Sequence, residues 1–383
     1  MSLDHPSRRK FLRNIAAGST ATALIPLPEG HSSPLRDSSA GSAPPDPPFP
    51  MTVDSYPISE PGLNPTVDRL KIVTYDEFPT EIQEKIRGFA PGIELKHCRN
   101  DEEFGREVAD ANVIFGGVSR EDLAVAKKLR WVQYPAAGVE NVLSPELVSS
   151  PVVLTNMQRM YSPTISESVF ALLLALTRGI NRYTVQTREH EWKEVEGLSE
   201  ISGLTMGLVG MGGIGTDTAY RAHYGFHMKV LGVDPKPLPK PTFVAELHSL
   251  EWLPKMASQV DVLVCAAPHT HESEKMLNES VFRAMKPSAY FINVSRGKVV
   301  DTPALIRALQ EKWIAGAGLD VVYREPLPAD DPLWSAPNVL ITCHTSARSQ
   351  GSLDRSQALF VENVRRYVAG LPLLNVVDKK RGY

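Results

Sequence analysis

The sequence predicts an α/β protein in which parallel β-sheets are covered by helices. From residue 70 onward, short stretches rich in Val, Ile and Leu alternate with amphipathic stretches of helical period, which is typical of β-α-β units. A glycine-rich turn, GMGGIG at residues 210–215, separates one apolar stretch from a helix, and charged residues directly follow several others. With 383 residues, the chain is long enough for two such domains.

The composition excludes several classes of protein. The net charge is −3 and hydrophobic residues make up 42% of the chain, which argues against a general nucleic-acid-binding protein. Cys98, Cys265 and Cys343 are widely spaced and form neither a disulfide framework nor a C-x-x-C metal motif. We expect each cysteine to be a small buried residue, and no metal site is predicted.

The first 30 residues have the features of an export signal. The segment SRRKFLR contains the pair Arg8 and Arg9, and a weakly apolar run follows as far as Leu27. This resembles a twin-arginine signal that directs a folded protein to the periplasm; the alternative is a disordered basic tail on a cytoplasmic protein. The run is too short and too polar for a stable membrane span. Residues 31–65 are rich in Pro and Ser and predict a linker.

The region after the linker is predicted to form a first sheet. A loop from Pro135 to Gly138 follows one of its strands. A long apolar helix at 165–178 comes next, and Glu167 and Arg178 bracket it closely, so a buried connecting helix is favoured over a membrane span. The predicted strands are 70–75, 93–98, 111–117, 131–134 and 152–156, and the helices are 80–89, 101–108 and 120–129.

The glycine-rich turn predicts a dinucleotide site. Gly210 allows a tight turn, Gly212 lets backbone approach a pyrophosphate, and Gly215 lets the helix pack closely on the strand. The N-terminal amides of that helix would face the phosphates. The next strand ends at Asp234, where an acidic residue binds the ribose hydroxyls of NAD and repels the extra phosphate of NADP. Lys236 could weaken this repulsion, so NAD is favoured over NADP; the alternative is a glycine-rich turn without a ligand.

Further polar residues lie at the ends of the later strands, where ligands bind in parallel sheets. They are Arg296, Asp320, Glu325 and His344. Each could singly be a surface or structural residue, but four of them in one dinucleotide-type domain indicate a site. The strands of this second region are predicted at 205–209, 229–233, 260–266, 289–294, 315–321 and 339–342, and helices at 250–258, 279–285, 302–310 and 352–370.

These residue types fit the reduction of a 2-keto acid. The reaction needs a cation for the carboxylate, a proton donor for the keto oxygen and a source of hydride. Arginine offers a bidentate fork to a carboxylate, and histidine exchanges protons near neutral pH. A carboxylate beside the histidine favours its protonated form. We therefore expect Arg296 to bind substrate, His344 to act as the acid–base group, and Glu325 to be its partner.

The chain resembles the NAD-dependent D-2-hydroxyacid dehydrogenase family over about residues 70–383. The resemblance is carried by the segments GLVGMGGIG, FINVSRGKVVDTPALIRAL, GAGLDVVYREPLP, DPLWSAPNVLITCHTSA and LPLLNVVD. It implies two Rossmann/flavodoxin-like parallel-sheet domains with a cleft between them. The substrate domain would be discontinuous, with residues 66–161 and 347–383, and the NAD-binding domain would span residues 162–346. The resemblance also implies a homodimer formed through the NAD-binding domain.

The resemblance assigns roles to individual residues. It matches Arg296, Glu325 and His344 to the catalytic residues, and it implies that Asp320 holds the nicotinamide carboxamide. The loop YPAAGVENV matches the substrate loop, whose amides at Ala137 and Gly138 would receive the carboxylate. The predicted cofactor-binding residues are Gly210, Gly212, Gly213, Ile214, Gly215, Asp234, Pro268, Val294, Ser295, Arg296, Asp320 and His344, and the substrate-binding residues are Ala137, Gly138 and Arg296.

The sequence also departs from the family pattern. Gly213 stands where Arg or His is frequent, Cys343 where Pro commonly precedes the histidine, Ala347 where Gly is frequent, and Ser168 where His is common. Formate dehydrogenases share the fold but pair their histidine with glutamine, so Glu325 favours a 2-hydroxyacid enzyme. The sequence thus predicts an oxidoreductase that transfers hydride between NAD(H) and a small 2-hydroxy or 2-keto acid, resembling glyoxylate or hydroxypyruvate. The alternative is a non-catalytic, NAD(H)-responsive binding or regulatory protein of the same fold.

Overall fold

The computed structural model describes residues 69–383, so the export signal and linker predicted for residues 1–65 lie outside the described residues. Within the described part, the chain forms two all-parallel β-sheets. The α/β fold class with two parallel-sheet domains is therefore confirmed.

The first sheet has five strands in the order β2-β1-β3-β4-β5, the flavodoxin-like order. Alternate residues enter opposite hydrophobic clusters: Ile72 and Val113 lie in one, and Val73 and Ile114 in the other. The sheet is therefore buried on both faces, as expected for parallel strands. Its strands are β1 (Leu70–Thr74), β2 (Ile93–His97), β3 (Val113–Phe115), β4 (Trp131–Gln133) and β5 (Val153–Thr155), and its helices are α1 (Thr80–Arg87), α2 (Asp101–Glu107), α3 (Arg120–Val125) and α4 (Pro145–Ser149).

The second sheet has seven strands in the order β12-β11-β10-β9-β6-β7-β8. Strands β7 and β8 are added on one side of β6, and strands β9 to β12 are added on the other. The order of the strands therefore reverses between β6 and β9, and such a switch point leaves a crevice at the carboxyl ends of the strands. The strands are β6 (Thr205–Val209), β7 (Lys229–Val233), β8 (Glu246–His248), β9 (Val262–Cys265), β10 (Tyr290–Asn293), β11 (Gly316–Leu319) and β12 (Val339–Ile341). The helices are α5 (Ser162–Thr177), α6 (Ile180–Glu189), α7 (Gly213–Phe226), α8 (Leu253–Ala257), α9 (Glu279–Ala284), α10 (Thr302–Gln310) and α11 (Gln350–Val368).

Helix α11 returns from the second sheet to the first. Phe360 is fully buried, with ring centroids 4.5 Å from Phe115 and 5.9 Å from Trp131. Farther along, Val376 forms an antiparallel bridge with Thr155. Residues after α11 therefore pack on the sheet formed by residues 70–155, while the domain boundaries given above stay a prediction.

The observed elements differ from the prediction in number and length. Helices α4 and α6 and strand β8 were not predicted, because each is short or polar: α6 has no buried residue, and the three-residue edge strand β8 reads Glu-Leu-His. Helix α3 ends at Val125 rather than at residue 129. Helix α5 begins at Ser162, earlier than residue 165, because Pro163 is tolerated in the first turn, where no amide donor is needed.

No single helix among residues 69–383 has both the length and the apolar character to cross a membrane. Helices α5 and α6 together would be long and apolar enough, but they meet at a bend of 65°. Most of α5 is buried in the core beside the second sheet, including Val169, Leu173 and Leu176.

Candidate active site

The glycine-rich turn joins β6 to the first residue of α7. Gly210 has a φ of +92°, and a Cβ placed on it would lie 2.8 Å from the backbone nitrogen of Ala267. A Cβ on Gly215 would lie 2.0 Å from the carbonyl oxygen of Gly210. Around Gly212, in contrast, a Cβ would meet nothing within 4 Å. The turn is therefore tightly packed at its first and third glycines and open at the second, which fits a pyrophosphate placed over the start of α7.

The neighbouring Gly213 has no room for a side chain. A Cβ there would lie 2.6 Å from Arg159 Cγ and 2.6 Å from Ser162 Oγ. Arg159 thus fills the space beside the turn that a side chain at position 213 would otherwise occupy. Sequence reasoning missed Arg159, because it lies far from the motif along the chain. Ile214 is half-buried and packs against the core of the second sheet.

Asp234 follows β7 and is 9% exposed. Its Oδ2 accepts a hydrogen bond from the amide of Met211 at 2.8 Å, and its Oδ1 accepts one from the amide of Lys236 at 2.8 Å. The carboxylate therefore links the glycine-rich turn to the loop after β7. This places it beside the turn, as a residue that binds the adenosine ribose should be.

Asp320 organises the loop that carries the candidate catalytic histidine. The carboxylate is almost fully buried and accepts hydrogen bonds from the amides of Thr345 and Ser346 and from the hydroxyl of Thr342. The carbonyl oxygen of Asp320 accepts a hydrogen bond from the amide of His344 at 2.8 Å. Asp320 therefore holds the loop after β12; its contact with the nicotinamide stays a prediction.

His344 and Glu325 form a pair at this edge of the sheet. Nδ1 of His344 lies 2.7 Å from Oε2 of Glu325, and the other carboxylate oxygen accepts a hydrogen bond from the amide of Val322 at 3.1 Å. The His344 and Glu325 side chains are 43% and 32% exposed, respectively. The pair is thus fixed by the protein yet open to solvent, and Nε2 is left as the ring nitrogen for proton exchange with a substrate.

Arg296 lies at the carboxyl end of β10, and a loop from the first sheet reaches it. Its Nη1 donates to the carbonyl oxygen of Ser295 at 2.8 Å, and its Nε donates to Oε1 of Glu140 at 2.5 Å. A Cβ on Gly138 would lie 1.9 Å from Nη2 of Arg296, so the loop needs glycine for this approach. The structure therefore brings the predicted substrate loop to the predicted substrate arginine.

The two loop amides that are assigned to the substrate carboxylate are available to bind it. Among residues 69–383, the amides of Ala137 and Gly138 have no hydrogen-bond acceptor, whereas the carbonyl oxygen of Ala137 accepts a bond from the Asn156 side chain at 2.6 Å. Glu140 was missed as a site residue. The signal was present in the loop AAGVENV, where a carboxylate stands two residues after Gly138.

The remaining predicted cofactor contacts lie where strands β9 and β10 end. Pro268 is exposed, whereas Val294 and Ser295 are buried. The hydroxyl of Ser295 donates to Asn293 Oδ1 at 2.9 Å and lies 3.1 Å from Cys265 Sγ. Side-chain contact of Ser295 with a cofactor is thus disfavoured, and its backbone is what the site can use.

The expectation that all three cysteines are buried is wrong for Cys343. Cys98 and Cys265 are buried, but Cys343 is exposed. It lies beyond the end of the edge strand β12, just before His344, where the chain has left the core.

Comparisons with known proteins identify the relatives of this chain. A family model described as D-isomer specific 2-hydroxyacid dehydrogenase, NAD binding domain, matches residues 170–346. A glyoxylate reductase of Korarchaeum cryptofilum is 35% identical over 270 residues, which cover 69% of this chain and 80% of that protein. A glyoxylate/hydroxypyruvate reductase B of Escherichia fergusonii is 30% identical over 304 residues, covering 76% of this chain and 93% of that protein.

A solved structure shares the architecture of this chain. It is the crystal structure of a D-isomer specific 2-hydroxyacid dehydrogenase of Xanthobacter autotrophicus Py2 in complex with NADPH and MES. It matches with a TM-score of 0.71 and 28% sequence identity, covering 82% of this chain and 100% of that chain.

Proposed function

The chain belongs to the D-isomer specific 2-hydroxyacid dehydrogenase family, and on that premise we propose that it reduces a small 2-keto acid, similar to glyoxylate or hydroxypyruvate, with NADH. One observation carries the proposal. His344 follows β12 and its partner Glu325 follows β11, with 2.7 Å between Nδ1 and Oε2, and Arg296 follows β10 in the same sheet. Because β10, β11 and β12 are neighbours, these groups lie at one edge.

The chain's own residues supply binding and proton transfer. Arg296, with the amides of Ala137 and Gly138, would hold the substrate carboxylate and orient the keto group. Protonated His344 would donate its proton to the keto oxygen as that oxygen gains negative charge, and Glu325 would hold the ring and stabilise the imidazolium. A nicotinamide cofactor, when bound at the glycine-rich turn, supplies hydride to the keto carbon.

The proposed preference for NADH rests on two residues after β7. Asp234 would bind the ribose hydroxyls and oppose a 2′-phosphate. Lys236 could neutralise such a phosphate, but its Nζ lies 4.1 Å from the ring centroid of Tyr383, a cation–π contact. Partial burial of this ammonium lowers its pKa. Since Lys236 is already engaged by an aromatic ring, it is less available to a phosphate.

The rival proposal is a non-catalytic, NAD(H)-responsive regulator. The His344–Glu325 pair argues against it, because ligand sensing needs no proton-exchange group. A spectrophotometric screen separates the two: purified protein is offered glyoxylate, hydroxypyruvate, pyruvate and bulkier keto acids with NADH or NADPH. Oxidation of NADH that depends on the keto acid supports the enzyme. Tight NADH binding without turnover on any acid would support the regulator.

We also propose a homodimer formed through the second domain. Trp192, in the segment after α6, is fully exposed, and Ile180 and Val185 of α6 are each 53% exposed. Each of these exposed apolar side chains could contribute to an interaction surface. Light scattering on the purified protein should give twice the mass of the chain, and a monomer at micromolar concentration would contradict the proposal.

A further inference from the structure

Glu140 forms an ion pair with Arg296, the arginine that the proposed function assigns to the substrate carboxylate. Its Oε1 accepts a hydrogen bond from Nε of Arg296 at 2.5 Å, and the two side chains are 31% and 30% exposed. Its Oε2 lies 2.6 Å from where a Cβ on Gly138 would be. The Glu140 carboxylate therefore lies against both Arg296 and Gly138, whose amide is assigned to the substrate carboxylate.

The carboxylate is ionised in this position. Burial acts to raise the pKa of Glu140, but the charge of Arg296 and the hydrogen bond from it outweigh burial, so the pKa lies below its ordinary value. Proximity to His269 also lowers it, and His269 Nε2 lies 3.8 Å from an acidic partner of its own, Glu274. The positive charge of Arg296 is thus balanced before any substrate arrives.

We propose that Glu140 is a specificity-determining residue, which makes the site select 2-keto acids with one negative charge over 2-keto acids with two. The inference rests on the proposed function. A monocarboxylate needs only one cationic fork. While Glu140 holds Nε and the Ser295 carbonyl oxygen accepts one hydrogen of Nη1, the other hydrogen of Nη1 and those of Nη2 can provide that fork. A second carboxylate on the substrate would enter a site that already contains the carboxylates of Glu140 and Glu325, and like charges repel each other.

The pair also spans the two domains. Glu140 belongs to the loop after β4, in the first sheet, and Arg296 follows β10, in the second. The charge that selects substrate is therefore delivered by a loop of the first sheet, whereas the glycine-rich turn belongs to the second sheet. A change at residue 140 should leave binding of NADH unaltered, which separates the effect on substrate from damage to the cofactor site.

The test compares substrates of equal carbon number and different charge. For the parent and Glu140→Gln, kcat/KM is measured with 2-oxobutanoate and with oxaloacetate, using NADH. The glutamine keeps the size of the side chain and removes its charge. We expect the ratio of kcat/KM for oxaloacetate to that for 2-oxobutanoate to rise about tenfold in Glu140→Gln, which corresponds to about 1.4 kcal/mol.

Binding provides a second readout that needs no turnover. Oxamate and oxalate have nearly the same shape but carry one and two negative charges, and calorimetry on the NADH-bound protein gives both dissociation constants. The preference for oxamate over oxalate should fall about tenfold in Glu140→Gln. The matched control is Glu146→Gln, which removes a carboxylate paired with Arg120 at 3.1 Å on the surface of the same domain and should leave both ratios unchanged.

The possible failures are distinct. If the parent reduces no keto acid, the proposed function fails. If the parent is active and both ratios are the same in the parent and Glu140→Gln, the selectivity assigned to Glu140 is wrong. If Glu140→Gln loses turnover with every acid, the inhibitor binding data test the proposal alone: an unchanged ratio of the oxamate and oxalate dissociation constants would overturn it.

Discussion

At the scale of single residues, the proposed chemistry depends on side chains fixed by short contacts. Glu325 is held by the amide of Val322 and in turn fixes Nδ1 of His344. Arg296 is held from both sides, by the carbonyl oxygen of Ser295 and by Glu140. These contacts orient the groups before a ligand binds, and preorganisation of this kind lowers the cost of reaching the transition state.

The first prediction concerns Arg296. Replacing it with Ala should raise the KM for the keto acid at least tenfold and lower kcat, because the carboxylate loses its bidentate partner. Arg296→Lys should restore only part of the loss, since an ammonium cannot reproduce the planar fork. NADH binding, followed by fluorescence, should persist in both. A lysine variant with parental kinetics would show that no bidentate contact is made.

The second prediction concerns proton donation by His344. His344→Ala should lower kcat by roughly 10²–10⁴-fold, the usual range for a general acid or base. The matched control is His248→Ala, because His248 is also exposed and paired with a carboxylate, at 3.2 Å from Glu246, but lies on the edge strand β8. Turnover within threefold of the parent in His344→Ala would remove this residue from the mechanism.

The third prediction concerns Glu325. Glu325→Gln removes a negative charge beside the imidazole and so disfavours its protonated form. Since the protonated ring is the active form in keto-acid reduction, the alkaline limb of the pH profile should move to lower pH. Glu246→Gln, at the control pair on β8, should leave the limb in place. An unmoved limb in Glu325→Gln would mean that Glu325 is not the catalytic partner of His344.

At the scale of elements, the segment 378–383 links the first sheet to the cofactor crevice. Nζ of Lys379 donates to the carbonyl oxygens of Leu147, Ser150 and Val152, which anchors the segment on the first domain. Four residues later, Tyr383 covers Lys236 beside Asp234. A segment anchored at one end on the first domain thus reaches Asp234, the residue proposed above to distinguish NAD from NADP.

The fourth prediction tests that arrangement. The parent should prefer NADH, and Tyr383→Ala should release Lys236 and tighten NADPH binding about tenfold, within the range of a cation–π contact. Tyr383→Phe retains the ring and should keep the parental preference, and Tyr383→Ala combined with Lys236→Ala should lose the gain. Dissociation constants for NADH and NADPH measured by fluorescence provide the check. Equal affinities in the parent would contradict the preference for NADH.

Across the two domains, loops from both sheets contribute residues to the candidate site. The glycine-rich turn and the His344–Glu325 pair belong to the second, and the substrate loop belongs to the first. Helix α11 crosses back to pack on the first sheet through Phe360 and Val364. The cleft that the family resemblance implies between the domains would suit the exclusion of water when a substrate and a cofactor are both bound.

The fifth prediction concerns the destination of the protein. We propose that residues 1–30 direct export through a twin-arginine route, so replacing Arg8 and Arg9 with Lys should retain the protein in the cytoplasm. Arg36→Lys, beyond the apolar run, is the control and should not alter export. Cell fractionation followed by immunoblotting measures the distribution. If the paired substitution leaves the protein in the periplasm, the assignment of the signal is wrong.

The two α/β regions, the glycine-rich turn and the strand ends that carry Asp234, Arg296 and His344 could be predicted from the sequence, because strand period and turn chemistry are local properties. Three contacts became evident from the folded chain alone: Arg159 beside Gly213, Glu140 on Arg296, and Tyr383 over Lys236. Each joins residues far apart in the chain. Such contacts depend on how the two sheets and their connecting segments pack, and no local pattern in the sequence encodes that packing.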